Sequence, residues 1–266
     1  MPPVKLLIVG PNGDLGRALI RRAAADPGID LIAGVGPKDR DYTGVDLGLL
    51  VGLGRRIGAR VFDSLEPIIE ECDVVLEATT PEVSMTALRA CVAHEKAFVT
   101  GTTGFSEAQA AEIERAGEGT AVLRASNGSP IVHLLYDLIR IVSREVGEDA
   151  DIDIVEMHSR GKRDAPSGTA LEMGQIIADE LGQDVKAVAA YGRQGIGTRA
   201  SESIQFSALR SGGAPSTHQV IFGFPNERLE LTHRAYSTDA FSDGLIQAAL
   251  FLSGKQDGFF TLDDVL

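Results

Sequence analysis

The chain has 266 residues, enough for one large domain or two smaller ones with ample core in either case. Its apolar and charged fractions, 44% and 24%, are those of an ordinary globular protein. A formal charge of −13 argues against nucleic acid or an anionic membrane as partner, and no apolar run approaches membrane-spanning length.

The chain opens Met1-Pro-Pro-Val-Lys-Leu-Leu-Ile-Val-Gly10 and enters an apolar strand with no secretory segment before it, so a cytoplasmic location is expected. Cys72 and Cys91 lack disulfide or metal-ligand spacing and read as buried thiols in helical surroundings. No metal is expected. Val4–Val9 is a continuous apolar run, the pattern of a parallel strand buried on both faces. Gly10-Pro-Asn-Gly13-Asp-Leu-Gly16 follows, then an amphipathic segment over 17–25. Strand, glycine-rich turn and helix form the entry unit of a dinucleotide-binding fold, where the glycines let backbone approach a pyrophosphate seated on a helix start. The spacing is G-x-x-G-x-x-G, not the commoner G-x-G-x-x-G. A plain strand–helix turn is the competing reading of this stretch alone. Gly10, Asn12, Gly13, Asp14 and Leu15 are the candidate phosphate-binding positions.

Ile29–Val35 reads as the second strand. It ends without the carboxylate that would bind the adenosine ribose, and Lys38 stands where a 2′-phosphate could meet it. This pattern predicts that NADPH serves at least as well as NADH. The glycine-rich stretch 44–52 reads as a loop. A strand over 73–79, a helix over 81–94 with proline in its first turn, and a strand at Ala97–Thr100 follow. The last of these opens into Gly101-Thr-Thr-Gly104. Ser106-Glu-Ala-Gln109 is a capping box for another helix, and 120–125 is a final strand before the turn Ser126-Asn127-Gly128-Ser129. The alternation predicts a doubly wound parallel sheet through about residue 126.

Pro130–Val146 reads as a long helix with Ile131, Leu134, Leu135, Leu138, Ile139 and Val142 on its apolar side; His133 is read as a packing or surface residue. Residues 151–157 alternate with period two, a half-buried strand. The strand runs into a loop carrying His158, Arg160, Lys162 and Arg163, and a helix begins near Pro166-Ser167. A helix start offers unpaired N–H groups to a carboxylate or phosphate. Gly168 permits close approach, and Ser167 and Thr169 add hydroxyls. Lys162 supplies a charge and a proton, and His158 can shuttle or polarise. The competing reading is a capped helix beside a solvated basic loop. Tyr191-Gly-Arg-Gln-Gly-Ile-Gly197 is a glycine-rich loop, and Ile204–Arg210, 218–224 and 229–234 have strand character. They predict an open mixed sheet with helices on one face, in which His218 and His233 are satisfied structural residues. A helix over 239–252 ends at Ser253-Gly254-Lys255.

His158-x-x-x-Lys162-x-Asp164-Ala-Pro-Ser-Gly-Thr-Ala170 closely resembles the signature of the dihydrodipicolinate reductases, and the resemblance runs through the chain. It implies a Rossmann-type doubly wound parallel sheet plus a smaller α+β substrate and oligomerisation domain. The nucleotide domain would be discontinuous, 1–126 with 239–266, and the substrate domain would be 127–238. The implied reaction is NADPH- or NADH-dependent reduction of 4-hydroxy-tetrahydrodipicolinate to tetrahydrodipicolinate. His158 and Lys162 would be catalytic, with Ser159, Ser167, Gly168 and Thr169 on the substrate, a small dicarboxylate or cyclic imino acid. Gly101, Thr102 and Thr103, with Ala125, Ser126, Asn127 and Gly128, would lie along the nicotinamide side of the cofactor. A homotetramer is implied. The chain departs from the family pattern at Ser159 (often histidine), Gly128 (often aromatic), Asp14 (often basic) and Thr80 (often arginine). A reductase of another cyclic imino acid, or a non-catalytic nicotinamide-nucleotide sensor, are the alternatives.

Overall fold

The alternation of apolar strands with amphipathic segments dictates the architecture of the first part of the chain. A computed structural model describes residues 2–266. It divides into two compact units, one containing residues up to Pro130 together with Thr238–Leu266, the other Ile131–Ser237.

The first unit runs β1 (Val4–Val9), α1 (Asp14–Ala23), β2 (Ile29–Val35), α2 (Leu47–Leu50), β3 (Arg60–Phe62), β4 (Val74–Glu77), α3 (Pro81–Ala93), β5 (Ala97–Thr100), α4 (Glu107–Ala116) and β6 (Ala121–Arg124). Its strands form one parallel sheet. The strand order is β12-β6-β5-β4-β1-β2-β3, with β12 contributed by Gly258–Phe260 near the C-terminus. Period two divides β1 between two cores: Leu6 and Ile8 pack with Leu19, Ile20 and Leu245 on one face, Leu7 and Val9 with Leu88 and Ile113 on the other. Full burial of each such side chain contributes about 1.5–3 kcal/mol. Helix α1 carries Asp14 in its first turn and Arg21 and Arg22 in its last, complementing the helix dipole. The capping box of Ser106 and Gln109 starts α4 as predicted.

The glycine-rich stretch 44–52 is more than a loop, because it contains the short helix α2. Buried Asp46 caps it, accepting from the N–H groups of Gly48 at 2.9 Å and Gly58 at 2.9 Å. Burial pushes the Asp46 carboxyl up, but the N–H groups of Ile57, Gly58 and Gly48 hold it below the ordinary carboxylate range. Cys91 lies in α3, whereas Cys72 closes a 3₁₀ turn rather than a helix; both thiols are buried.

The second unit contains α5 (Pro130–Val146, its first residue at the unit boundary), β7 (Asp151–His158), α6 (Gly168–Glu180), α7 (Val185–Val188), β8 (Ala189–Tyr191), β9 (Ile204–Arg210), β10 (Ser216–Gly223) and β11 (Arg228–Ala235). The chain then returns to the first unit through α8 (Ser242–Leu252) and β12. The second sheet is mixed, in the order β11-β10-β7-β9-β8. One face packs on α5 and α6 through Ile152, Ile154, Phe206, Val220, Phe222, Ile139 and Met173.

Two expectations change here. The apolar side of α5 is rotated: Val132, Leu135, Tyr136 and Ile139 are buried, while Ile131, Leu134 and Leu138 are exposed. The helix is apolar on more than one face, so periodicity alone could not choose the buried one. His133 is buried edge-on against Tyr136. His218 is satisfied at both ring nitrogens, but His233 Nδ1 is buried with no hydrogen-bond partner among the described residues.

Candidate active site

In the first unit the chemistry gathers at the carboxyl ends of the parallel strands, where nucleotides bind in such sheets. Gly10 follows β1 with φ +88°, and a Cβ there would lie 2.5 Å from Thr79 Cγ2 and 2.8 Å from the Ala78 carbonyl oxygen. A Cβ on Gly16 would stand 1.9 Å from the Gly10 carbonyl oxygen, so the turn closes only with glycine. Helix α1 starts at Gly13 with no side chain capping it, and Asn12, Gly13 and Asp14 are exposed beside half-buried Leu15. A cavity of about 590 Å³ adjoins Gly10, lined also by Gly36, Asp63, Glu66, Thr79 and Glu82. An uncapped helix start, a backbone that excludes side chains and an adjoining cavity fit a dinucleotide. The Gly10–Leu15 turn would hold its pyrophosphate. Lys38 is exposed past β2 and does not line that cavity.

Strands β5 and β6 end beside one another. Thr102 is buried and hydrogen-bonded, Gly101 is half-buried, and Thr103 is exposed. The Ala125 N–H donates to the Thr100 carbonyl at 2.9 Å, and Asn127 accepts from the Ser129 N–H at 2.8 Å. Half-buried Ser126 and Asn127 precede Gly128, which is buried against α8. A Cβ on Gly128 would fall 2.0 Å from the Phe241 carbonyl oxygen, and its own carbonyl accepts from the Gly244 N–H. The close approach of Phe241 and the start of α8 leaves no room for any side chain at this position.

In the second unit, β7 places Glu156 and His158 in the buried register of Ile152 and Ile154. Glu156, 1% exposed, accepts from His158 Nδ1 at 2.6 Å and from both terminal nitrogens of Arg210 at 2.7 Å. It also accepts from the Ser167 N–H at 3.1 Å. Arg210 donates in turn to the Asp164 carbonyl, and the Arg160 N–H donates to the Gly212 carbonyl, so the loop after β7 is tied to the β9–β10 connection. Ser167 caps α6 by accepting from the Ala170 N–H, and its hydroxyl meets His218 Nε2 at 3.0 Å. His218 Nδ1 meets Ser216 Oγ at 3.1 Å, and its ring stands edge-on to His158 at 5.1 Å. His158, Ser167, Gly168 and Thr169 are thus held on one fixed strand end and helix start. Half-buried Ser159 accepts from the Lys162 N–H, and Lys162 Nζ pairs with Asp164 at 2.9 Å.

The electrostatics follow from this geometry. Burial pushes the Glu156 carboxyl up, but the hydrogen bonds of Arg210 and His158 hold it below its ordinary range. Burial also pushes His158 down, helped by the charges of Lys162 and Arg210 and opposed by Glu156. A neutral His158 that donates Nδ1–H to Glu156 presents Nε2 as an acceptor. The motif did not point to Glu156, Arg210 or His218. The first and last could have been found, because both polar residues fall in the apolar register of their strands.

Models of the dihydrodipicolinate reductase N-terminus and C-terminus match residues 4–128 and 131–266. The chain belongs to the dihydrodipicolinate reductase family. It is 39% identical over 267 residues to the 4-hydroxy-tetrahydrodipicolinate reductase of Laribacter hongkongensis, covering 100% of this chain and 99% of that protein. Among solved structures it resembles the dipicolinate-bound dihydrodipicolinate reductase of Paenisporosarcina sp. TG-14, with TM-score 0.73, 23% identity, and 99% and 100% of the two chains covered. An amine dehydrogenase from Mycobacterium smegmatis shares the fold at TM-score 0.69 and 14% identity, with 99% and 96% covered. Family membership makes the chain an oxidoreductase that uses NADH or NADPH. No helix among the described residues is long and apolar enough to cross a membrane.

Proposed function

We propose that the chain reduces 4-hydroxy-tetrahydrodipicolinate to tetrahydrodipicolinate in the diaminopimelate and lysine route, in the cytoplasm. One substrate, one reduced nicotinamide and one proton give the product, the oxidised nicotinamide and water. The observation that carries the reading is the cluster fixed by Glu156, which sets His158 beside a helix start and the Lys162 loop. The N-terminus of α6, with Gly168 and Thr169, receives one ring carboxylate, while buried Ser167, its N–H on Glu156 and its hydroxyl on Ala170 and His218, fixes that helix start. The nicotinamide cofactor, when bound, supplies the hydride. Loss of the ring hydroxyl with a hydrogen from the adjacent ring carbon releases the water, and Lys162 donates the proton to the electron pair that hydride addition then leaves on the unsaturated ring. Its partner Asp164 is half-exposed, and surface pairs of that kind contribute only about 0–1 kcal/mol, so a substrate carboxylate can replace it at little cost. His158 Nε2 accepts a hydrogen bond from the substrate or a proton to be passed on.

Lys162→Ala should lower kcat by roughly 10²–10⁴-fold, the usual worth of a positioned general acid, with cofactor affinity unchanged. Lys162→Arg keeps the charge but is a poor proton donor, and should not restore the rate. A Lys162→Ala enzyme with normal kcat and only a raised KM would reduce the lysine to a binding charge. Ser159 favours a second reading, in which a neutral hydroxyl in place of a histidine suits another cyclic imino acid. Rates across several such acids decide between the two. The open face of the second sheet, with Val155, Met157 and Ile221 only part-buried, supports a homotetramer, which sedimentation would test.

A further inference from the structure

Glu77 ends β4, a strand otherwise made of Val74, Val75 and Leu76, and its side chain is fully buried. Its carboxylate pairs with no lysine, arginine or histidine among the described residues. Three threonine hydroxyls donate to it instead. Thr100 reaches Oε2 at 2.8 Å, Thr102 reaches Oε1 at 3.0 Å, and Thr79 also donates to Oε1. With their protons turned inward, these hydroxyls become acceptors for the backbone. Thr102 Oγ1 accepts from the Thr79 N–H at 2.9 Å, and Thr100 Oγ1 from the Thr102 N–H at 3.1 Å. One acid thus clamps the loops after β4 and β5, and through Thr79 it backs onto Gly10. A buried charge is costly unless paired or well hydrogen-bonded. Clamping two loops could be done by neutral groups, so an acid with no cation beside it among the described residues calls for its own explanation.

We propose that Glu77 is a positioning residue that also lowers the hydride-donating barrier by placing an uncompensated negative charge under the nicotinamide loop 101–103. The inference rests on that loop meeting the nicotinamide half of the cofactor. As the C–H bond of a dihydronicotinamide breaks and its electron pair leaves with the hydrogen for the acceptor, the ring left behind carries one positive charge. A fixed carboxylate nearby stabilises that charged ring and not the neutral reduced one. At an effective dielectric of about 20, a separation of roughly 8–16 Å is worth about six- to thirty-fold in relative affinity. Glu156 cannot act in this way, because Arg210 neutralises it.

The test is equilibrium binding, with no turnover. Titration calorimetry with NAD⁺ and NADH on the full chain should show Glu77→Gln weakening NAD⁺ about six- to thirty-fold more than NADH. Thr102→Val, which loosens the clamp but keeps the charge, should weaken both forms equally. Equal weakening of the two by Glu77→Gln, or no change in either, overturns the electrostatic role. If Glu77→Gln does not fold, the wild-type protein decides: NADH binding more than about tenfold tighter than NAD⁺ sinks the proposal. Failure to bind either nucleotide would instead overturn the cofactor reading beneath it.

Discussion

His218 offers a quantitative check on the network behind the proposed substrate site. Its side chain is 0% exposed, and burial pushes its imidazole down to about 3, with the charge of neighbouring His158 adding to the effect and Glu156 opposing it. With His218 neutral, Ser167 Oγ, which accepts from the Ala170 N–H, can donate its proton to His218 Nε2, in which case Nδ1–H donates to Ser216. In the unfolded chain the same group titrates near 6.5. Between these two values the unfolded state holds a proton that the folded state refuses, so stability rises with pH across the window. The contribution is whole above about pH 6.5 and is lost progressively as pH falls toward 3.

From pH 7 to pH 5 the linkage relation makes this loss about 2 kcal/mol for a single histidine. Near pH 5.5 unfolding should take up about 0.9 proton on account of His218. His158 and His233 are also pushed down by burial and add to the wild-type total. The carboxylate network of Glu156, held below its ordinary range, takes effect only at lower pH, below the carboxylate value of the unfolded chain. The perturbation is His218→Gln, which retains a partner for Ser167. Proton uptake on guanidinium unfolding at pH 5.5 should fall by about 0.9 per chain, followed by circular dichroism because the protein has no tryptophan. Equal uptake by wild type and variant would refute the buried neutral histidine and the hydroxyl assignment built on it. Measuring protons avoids assuming that the two units unfold in one step.

Arg210→Met leaves the Glu156 charge buried with no cation and should destabilise by about 3–5 kcal/mol, much of it recovered in the double variant with Glu156→Gln. A double-mutant cycle by denaturation reads this, and a single variant as stable as wild type would mean Glu156 is already neutral. Ser159→His should lower KM for 4-hydroxy-tetrahydrodipicolinate if that is the substrate; a loss confined to it, with a smaller imino acid spared, supports the second reading. For cofactor choice, Asp63, Glu66 and Glu82 line the cavity beside Gly10 and Lys38 does not, an arrangement that would disfavour a 2′-phosphate there. NADH should bind more tightly than NADPH, and Lys38→Ala should change the NADPH affinity little. A large loss of NADPH affinity in that variant restores the lysine to the 2′-phosphate.

The legible parts were those that local pattern determines. Val4–Val9, Ala97–Thr100, Pro130–Val146 and Ile204–Arg210 fold over the ranges their periodicity predicts, and α6 starts at Gly168 with Ser167 as its cap, next to the start predicted at Pro166-Ser167. The short strands β3, β8 and β12 were missed. Each has three residues, too few to show a period, and each is held by a neighbouring strand rather than by its own pattern. Gly128 looked like a lost aromatic because its reason lies in Phe241 and Gly244, more than a hundred residues along the chain. The signature motif named His158 and Lys162 but not what orients them. Arg210 belongs to a different strand, and only the pairing of β7 with β9 brings it to Glu156.

Glu77 and Glu156 make the same departure from pattern and differ in what surrounds them. Each occupies a buried position near the carboxyl end of a strand; Glu77 holds threonine hydroxyls of the segments that follow, and Glu156 holds the Ser167 N–H. Such a carboxylate costs several kcal/mol to bury, so its partners indicate the task that justifies it. Glu156 sits beside the start of α6, where an anionic dicarboxylate is proposed to bind, and a net negative charge there would repel the ligand. Arg210 cancels the charge, and the acid is left to fix the ring of His158. Glu77 backs the loop proposed to meet a ring that becomes cationic, where a net negative charge favours the reaction. It has hydroxyl donors and, among the described residues, no cation. Exchanging the two environments would set each charge against its proposed ligand, so the placement of a single arginine distinguishes the acid behind the proposed substrate site from the acid behind the proposed cofactor loop.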